Sequence, residues 1–350
     1  MRIDELPIFG ICGWSGSGKT TLIERIVPRL TEKGLKVVVV KHDAHGIDVD
    51  RPGKDSDRLY RSGADILLQA SHEEFVRRHR AEESDLDLLA VLVSLVDRYD
   101  LVLVEGHKTS TLRKVWLLGD KETAPPEDIK NIAAVLPRDS DRLAAVMPLL
   151  EKFLTKQWLK TPVWGCVLIG GKSTRMGTPK HLLRKNRRTW LARTVKLLEQ
   201  VSESVVIVGS GEVPEEVSSF TRLADVPDAK GPLSGVLAAM RWAPHASWLI
   251  VACDLPDLSA DALSWLLSTR EPGIWATLPR LEGSCGLEPL LAHYDFRARV
   301  ALQRQAIDGN FRPADIALHP RVISPEVPAP LTAAWRNVNI AADLKSETVT

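Results

Sequence analysis

Two glycine-rich stretches in this chain have the composition of loops that hold phosphate. Gly13-Trp14-Ser15-Gly16-Ser17-Gly18-Lys19-Thr20 fits GxxxxGK[ST] without a gap. In such a loop the glycines let successive backbone N–H groups turn inward on phosphates. Lys19 would reach the outer phosphates and the Thr20 hydroxyl would ligate Mg²⁺, with a helix N-terminus adding favourable partial charge. Gly13, Ser15, Gly16, Ser17, Gly18, Lys19, Thr20 and Thr21 are therefore candidate nucleotide contacts. Downstream, the apolar run Leu101-Val102-Leu103-Val104 ends in Glu105-Gly106-His107-Lys108. A carboxylate at a strand end beside such a loop holds Mg²⁺ directly or through water, which makes Glu105 the second metal candidate beside Thr20.

The second stretch runs from Leu168 through Ile169-Gly170-Gly171-Lys172-Ser173-Thr174-Arg175-Met176-Gly177-Thr178-Pro179 to Lys180 and lacks the GK[ST] ending. Gly170 and Gly171 would bring N–H groups against a triphosphate, and Arg175 and Lys180 would add cations. Pro179 blocks early helix formation and keeps Lys180 in the loop. Groups placed in this way stabilise charge in a nucleotidyl-transfer transition state. Gly231-Pro232-Leu233-Ser234-Gly235 opens a helix that can receive the nucleoside. Ala252-Cys253-Asp254-Leu255-Pro256 sets a carboxylate at the carboxyl end of a buried strand, where open α/β sheets bind ligands. Asp254 is the expected Mg²⁺ ligand here, with Pro256 and Asp257 better suited to begin the next helix.

The elements that must carry these loops read as strand–loop–helix units. Ile8–Cys12, Val37–Val40 and Leu101–Val104 are expected strands, with Val115–Leu118 and Ile132–Val135 as further candidates. Helices are expected over Thr20–Leu30, Leu86–Arg98 and Asp139–Leu154, the last capped by Asp139 or Ser140. Thr155–Pro162 is polar, ends in proline and reads as a connector. The same grammar then restarts: strands at Val163–Ile169, Val205–Val208 and Trp248–Ala252, helices at Thr189–Val201, Leu233–Trp242 and Leu258–Leu267, the last with Ser259 near its start. The expectation is two α/β domains, residues 1–158 and 163–350, in a chain of 350 residues.

Lys+Arg is 46 and Asp+Glu 45, a net charge of +1, which argues against a general nucleic-acid or membrane binder. Arg77-Arg78-His79-Arg80 and Arg184-Lys185-Asn186-Arg187-Arg188 read as solvated surface, the second with more weight because it lies close to the second loop. Cys12, Cys166, Cys253 and Cys285 have no CxxC spacing and read as packing residues. His42 and His45, three apart in a polar segment, are weak metal signals. No apolar run has the length of a signal peptide or a membrane span, so a cytoplasmic location is expected.

Lys41-His42-Asp43-Ala44-His45-Gly46-Ile47-Asp48-Val49-Asp50-Arg51-Pro52-Gly53-Lys54-Asp55-Ser56, then Arg61-Ser62-Gly63-Ala64, with Val104-Glu105-Gly106-His107-Lys108, resemble the MobB family over roughly residues 5–155. That family comprises GTP-binding adapters of molybdopterin guanine dinucleotide synthesis; His107 stands where it usually has phenylalanine. The resemblance implies a P-loop NTPase fold and weak or assisted GTP hydrolysis, and oligomerisation through this domain. The second loop, Gly231–Gly235, Ala252–Pro256 and the late Asn337-Val338-Asn339 resemble MobA, the molybdenum cofactor guanylyltransferase, over about residues 163–345. Ile169 and Pro179 depart from that family's usual alanine and acid. This second resemblance implies a Rossmann-like nucleotidyltransferase fold. It also implies that Leu168, Ile169 and Gly170 line base and phosphates, that Lys180 contacts phosphates, and that Asp225 contacts the nucleotide. Asp254 would bind nucleotide and metal, and Asn337 and Asn339 would lie near the pterin. The paired glycines and the Cys-Asp pair resemble the guanylyl member rather than its cytidylyl relative.

Together the resemblances imply GTP, Mg²⁺ and molybdopterin or its molybdenum form as ligands. Implied partners are molybdopterin-synthesis or molybdate-insertion proteins and client molybdoenzymes. Two other readings of the motifs stay open: another small-substrate nucleotidyltransferase fused to a P-loop kinase, and a non-catalytic GTP-regulated binding module.

Overall fold

A computed structural model of the chain describes residues 6–41, 53–77, 85–96, 98–170, 179–185, 187–283 and 286–338. The chain is mixed α/β and divides into two compact units, Met1–Phe153 and Leu154–Thr350. Among the described residues, no helix is long and apolar enough to cross a membrane.

In the first unit, β1 (Ile8–Gly13) leads through the first glycine loop to α1 (Lys19–Glu32) and β2 (Val37–Lys41). Then come α2 (Asp55–Arg61), a hairpin of β3 (Ile66–Gln69) and β4 (Glu74–Arg77), α3 (Asp85–Val96), β5 (Leu101–Glu105), β6 (Lys114–Leu117), β7 (Ile132–Leu136) and the start of α4 (Arg142–Lys160), whose residues from Leu154 on belong to the second unit. The main sheet has five strands in the order β2-β5-β1-β6-β7, all parallel. β1 and β5 are buried along their whole lengths, as near-continuous apolar strands covered on both faces must be. α1 buries Leu22, Ile23, Ile26 and Leu30, the spacing of one helical face. Because β1 lies beside β5, with Ile11 in register with Glu105, the first loop emerges next to that carboxylate.

The last helix departs from expectation at both ends. Its first-turn N–H groups are met by Asp141, whose carboxylate accepts from Ala144 N at 3.2 Å, rather than by Asp139 or Ser140. Residues 155–160, read from sequence as part of a connector, are helical. Buried Leu154, Gln157 and Trp158 continue the three-and-four spacing of Leu150 and Phe153, so the apolar period outweighs the polar composition.

The second unit opens with β8 (Val163–Leu168), followed by a small ribbon of β9 (Arg184–Lys185) and β10 (Arg188–Thr189), α5 (Trp190–Leu198), β11 (Ser204–Val208), β12 (Thr221–Leu223), α6 (Pro232–Trp242), β13 (Ser247–Ala252), α7 (Ala260–Ser268), β14 (Ala276–Thr277), β15 (Leu291–Tyr294), α8 (Ala298–Ile307) and β16 (Val322–Ile323). Seven strands pair in the order β12-β11-β8-β13-β15-β14-β16. The first four are mutually parallel, and β15 runs antiparallel to both β13 and β14. Alternation along β13 shows how the sheet is sealed. Trp248 and Ile250 join a core with Leu233, Val236 and Leu237 of α6, while Leu249 and Val251 join one with Leu191, Val195 and Leu198 of α5 and Leu263 and Leu266 of α7. With helices on both faces, the carboxyl ends of β8, β11 and β13 are where backbone groups lie open to a ligand.

Candidate functional site

In each unit the described residues of the glycine-rich loop follow the carboxyl end of a parallel strand. In the first, Gly13 has φ +150°, and a Cβ there would lie 2.5 Å from Ser17 Oγ and 2.6 Å from the Leu117 carbonyl oxygen. The tight start of the loop therefore requires glycine. Gly16 and Gly18 are left-handed, at φ +73° and +88°, and no side chain caps α1. The first N–H groups of the helix thus face the loop. Thr20 Oγ1 donates to Glu105 Oε1 at 2.9 Å, joining the two residues that sequence spacing picked as metal candidates. Lys19 Nζ donates to the Trp14 carbonyl at 2.9 Å, folded back on its own loop. Partial burial lowers the Lys19 pKa, an effect opposed by Glu105 and reinforced by Lys108 and Lys41. Ser15 and Thr21 are exposed beside this loop.

Arg142, the first residue of α4, had no sequence signal for this site. Its guanidinium donates to the carbonyls of Ser17 at 2.6 Å and Leu118 at 2.6 Å, with Leu136 at 3.2 Å and Pro137 at 2.8 Å. It ties the first loop to the ends of β6 and β7. The loop segment carrying His42 and His45 lies outside the described residues. Arg77, from the first basic cluster, binds Asp57 at 3.1 Å and covers Tyr60, a structural role.

In the second unit, β8 delivers Leu168, Ile169 and Gly170 to the sheet edge. Ile169 N donates to the Val208 carbonyl at 2.8 Å, and Cys253 N donates to the Leu168 carbonyl at 3.2 Å. The backbone approach is close: a Cβ on Gly209, at φ +121°, would lie 1.9 Å from the Ile169 carbonyl oxygen. Gly209→Ala is therefore expected to destabilise this unit by about 2–5 kcal/mol, from overpacking and a disfavoured backbone together. A urea midpoint equal to that of the parent would refute the constraint.

Lys180 Nζ and Asp254 Oδ2 form an ion pair at 2.9 Å, although 74 residues separate them in sequence. Their side chains are 17% and 21% exposed, so water screens this pair less than a surface one. Asp225 Oδ1 accepts from Ser234 Oγ at 2.9 Å, which links the exposed Asp225 to the first turn of α6. Gly235 lets these parts converge: a Cβ there would meet Leu168 Cδ2 at 2.7 Å and Asp225 Oδ1 at 3.4 Å. Gly231 (φ +58°) precedes α6, whose N-terminus has no side-chain cap. Val338 N donates to the Asp254 carbonyl at 3.2 Å, which sets exposed Asn337 beside the end of β13. Gly171, Arg175 and Asn339 lie outside the described residues.

Two expectations near Asp254 are corrected. The next helix is capped by Ser259, whose side chain accepts from Ala262 N at 3.2 Å, not by Asp257. Asp257 instead accepts from Lys185 at 3.0 Å and Arg336 at 2.7 Å. Burial pushes the Asp257 pKa up, but these two cations outweigh it and the net shift is downward. Lys185, read as solvated surface, thus joins the second loop's exit ribbon to the strand-end loop. The described cysteines, Cys12, Cys166 and Cys253, are buried. Burial pushes the Cys253 thiol up to about 12 and the Cys12 thiol to about 11, so neither is a nucleophile at neutral pH.

One family description matches each unit. "Molybdopterin guanine dinucleotide synthesis protein B" matches residues 8–138 and "MobA-like NTP transferase domain" matches residues 165–314. The molybdopterin-guanine dinucleotide biosynthesis adapter protein of Escherichia coli is 37% identical over 127 residues, which cover 35% of this chain and 72% of that protein. A "Probable molybdenum cofactor guanylyltransferase" of Bacillus cereus is 30% identical over 140 residues, covering 39% of this chain and 69% of the relative. Among solved structures, molybdopterin-guanine dinucleotide biosynthesis protein A from Archaeoglobus fulgidus aligns with 52% of this chain and 95% of its own, at 23% identity and a TM-score of 0.45.

Proposed function

Because the chain belongs to the MobB family through its first unit and to the MobA-like NTP transferases through its second, we propose that it transfers GMP from GTP to the terminal phosphate of molybdopterin. The product is a guanine dinucleotide cofactor, with pyrophosphate released. The observation that supports this reading is the Lys180–Asp254 pair, with Asp254 just beyond the carboxyl end of β13, the strand that lies beside β8.

A phosphate monoester is already ionised at neutral pH, so the attacking oxygen needs no general base. It forms a bond to the α-phosphorus of GTP as the bond from that phosphorus to the β-phosphate oxygen breaks. The work left to the protein is to bring two anions into line and to offset their charge. Lys180 supplies a cation at the phosphates, and Arg175 a second one. Leu168, Ile169 and Gly170 present backbone to the nucleotide, with Gly171 beside them, and Asp225, Gly231 and Gly235 form the nucleoside side. Asn337 and Asn339 are the residues assigned to the pterin side.

A single carboxylate, Asp254, and a hydroxyl–carboxylate pair, Thr20 with Glu105, are donor sets for a hard cation that takes its remaining ligands from phosphate and water. They fit Mg²⁺ that arrives with a nucleotide: Asp254 would hold it in the second unit, Thr20 and Glu105 in the first. There it would neutralise phosphate charge. The first unit binds GTP through Gly13, Ser15, Gly16, Ser17, Gly18, Lys19, Thr20 and Thr21 and serves the second as an adapter, hydrolysing GTP weakly or with assistance.

The test is incubation of the chain with Mg²⁺, labelled GTP and molybdopterin, with product separated from free nucleotide. Labelled guanine dinucleotide is the expected product, and a parallel CTP lane should give far less. Equal CTP transfer would refute the guanylyl assignment, and no transfer from either nucleotide would refute the reaction.

A further inference from the structure

The first glycine loop carries a large aromatic residue that phosphate binding by backbone N–H groups does not call for. Trp14 is 48% exposed. Its ring stands edge-on to Trp116 of β6, with centroids 6.0 Å apart. Trp116 is fully buried and donates its indole N–H to Glu122 at 2.9 Å, so the support under Trp14 is fixed. The ammonium of Lys108 lies 3.7 Å from the centroid of the Trp14 ring. The carbonyl of the same residue accepts from Lys19. One residue of the phosphate loop therefore holds two ammonium groups from different parts of the chain.

Lys108 is aimed there by a buried lysine. After β5 the chain turns through left-handed Gly106 and His107, at φ +93° and +47°. Beneath this turn Lys114 of β6, with no exposed surface, donates to the carbonyls of Lys108, at 2.8 Å, and Ser110. A buried ammonium is costly and persists where it is hydrogen-bonded. Here its bonds fix the backbone from which Lys108 projects over the loop. Lys41, at the end of β2, is in register with Glu105 and adds a third positive charge to the same edge.

We propose that Lys108 is a second phosphate-binding cation of the first unit, parked on Trp14 until a nucleoside triphosphate takes it up. The proposal rests on the phosphate-loop reading above. An exposed cation–π contact is weaker than a hydrogen bond between charged groups. Exchange of the ring for a phosphate oxygen is therefore favourable. Gathering Lys19, Lys41 and Lys108 around one glutamate also favours the more highly charged ligand, so the triphosphate gains more from Lys108 than the diphosphate does.

The full chain is titrated with GTP and with GDP, each with Mg²⁺. Binding is followed by equilibrium dialysis and by tryptophan emission. The part of the emission change that Trp14→Phe removes reports the first unit. Lys108→Met is expected to weaken Lys19-dependent GTP binding about tenfold and GDP binding less than about twofold, with Lys108→Arg close to the parent. Unchanged GTP binding in Lys108→Met overturns the proposal, as does equal loss in Lys108→Met and Lys108→Arg. So does GTP binding without a Trp14-dependent signal, since the exchange uncovers that ring. Lys19→Ala separates the two levels. If it binds GTP as the parent does, the phosphate-loop reading itself fails. If it loses binding while Lys108→Met keeps it, only the role of Lys108 falls.

Discussion

Replacing Asp254 with alanine is expected to lower guanylyl transfer about a thousandfold in kcat, while the first unit keeps its GTP binding. The size of the effect follows from position. Asp254 follows β13, its neighbour Cys253 bonds the end of β8 at Leu168, and its carboxylate holds Lys180 at 2.9 Å. Alanine removes the carboxylate that would hold Mg²⁺ and also the group that orients Lys180. Asp254→Asn separates these parts, because it keeps the shape and a hydrogen-bond acceptor but not the charge. A charge role predicts that asparagine is nearly as inactive as alanine, and that Lys180→Met adds little to Asp254→Ala. Steady-state transfer assays over a range of Mg²⁺ concentrations give the measurement. Near-normal turnover in Asp254→Ala would remove this residue from the mechanism.

Lys19→Ala carries the second large expectation: GTP binding by the first unit weakens about a hundredfold, the loss of a charge-assisted contact to phosphate. The structure adds a reason for a clean result. The Lys19 ammonium rests on the Trp14 carbonyl and is not part of a buried network, so its removal should leave the fold intact. Unfolding midpoints close to the parent's check this. Guanylyl transfer, proposed for the second unit, is expected to persist. A collapse of transfer in a folded Lys19→Ala variant would mean that the first unit does more for catalysis than an adapter does.

Much of this was legible in the residues. The buried strands announced themselves as unbroken apolar runs, and Thr20 and Glu105 were each legible as candidates, though not the hydrogen bond between them. The meeting of Leu168, Asp225 and Gly235 was legible only as separate strings, because the contact depends on how α6 lies against β8. The Lys180–Asp254 bond and the bonds of Asp257 to Lys185 and Arg336 were not legible at all. Charged pairs across more than 70 residues leave no periodic trace, and each partner alone has an ordinary reason to be where it is. The extra turns of α4 were readable, but polar composition at residues 155–160 masked an apolar spacing that runs through them. Arg142 carried no signal, since its partners are carbonyls and any sequence supplies those.

The bond between Lys180 and Asp254 has a consequence for what can enter the site. Parting it opens a partly buried ammonium and a partly buried carboxylate to charges that enter the site. A bare anion answers the lysine and strands the aspartate; a bare cation does the reverse. A ligand that brings both signs at once, as a metal–polyphosphate complex does, answers both. On the proposed reading, metal and polyphosphate together are expected to part this pair more readily than either does alone.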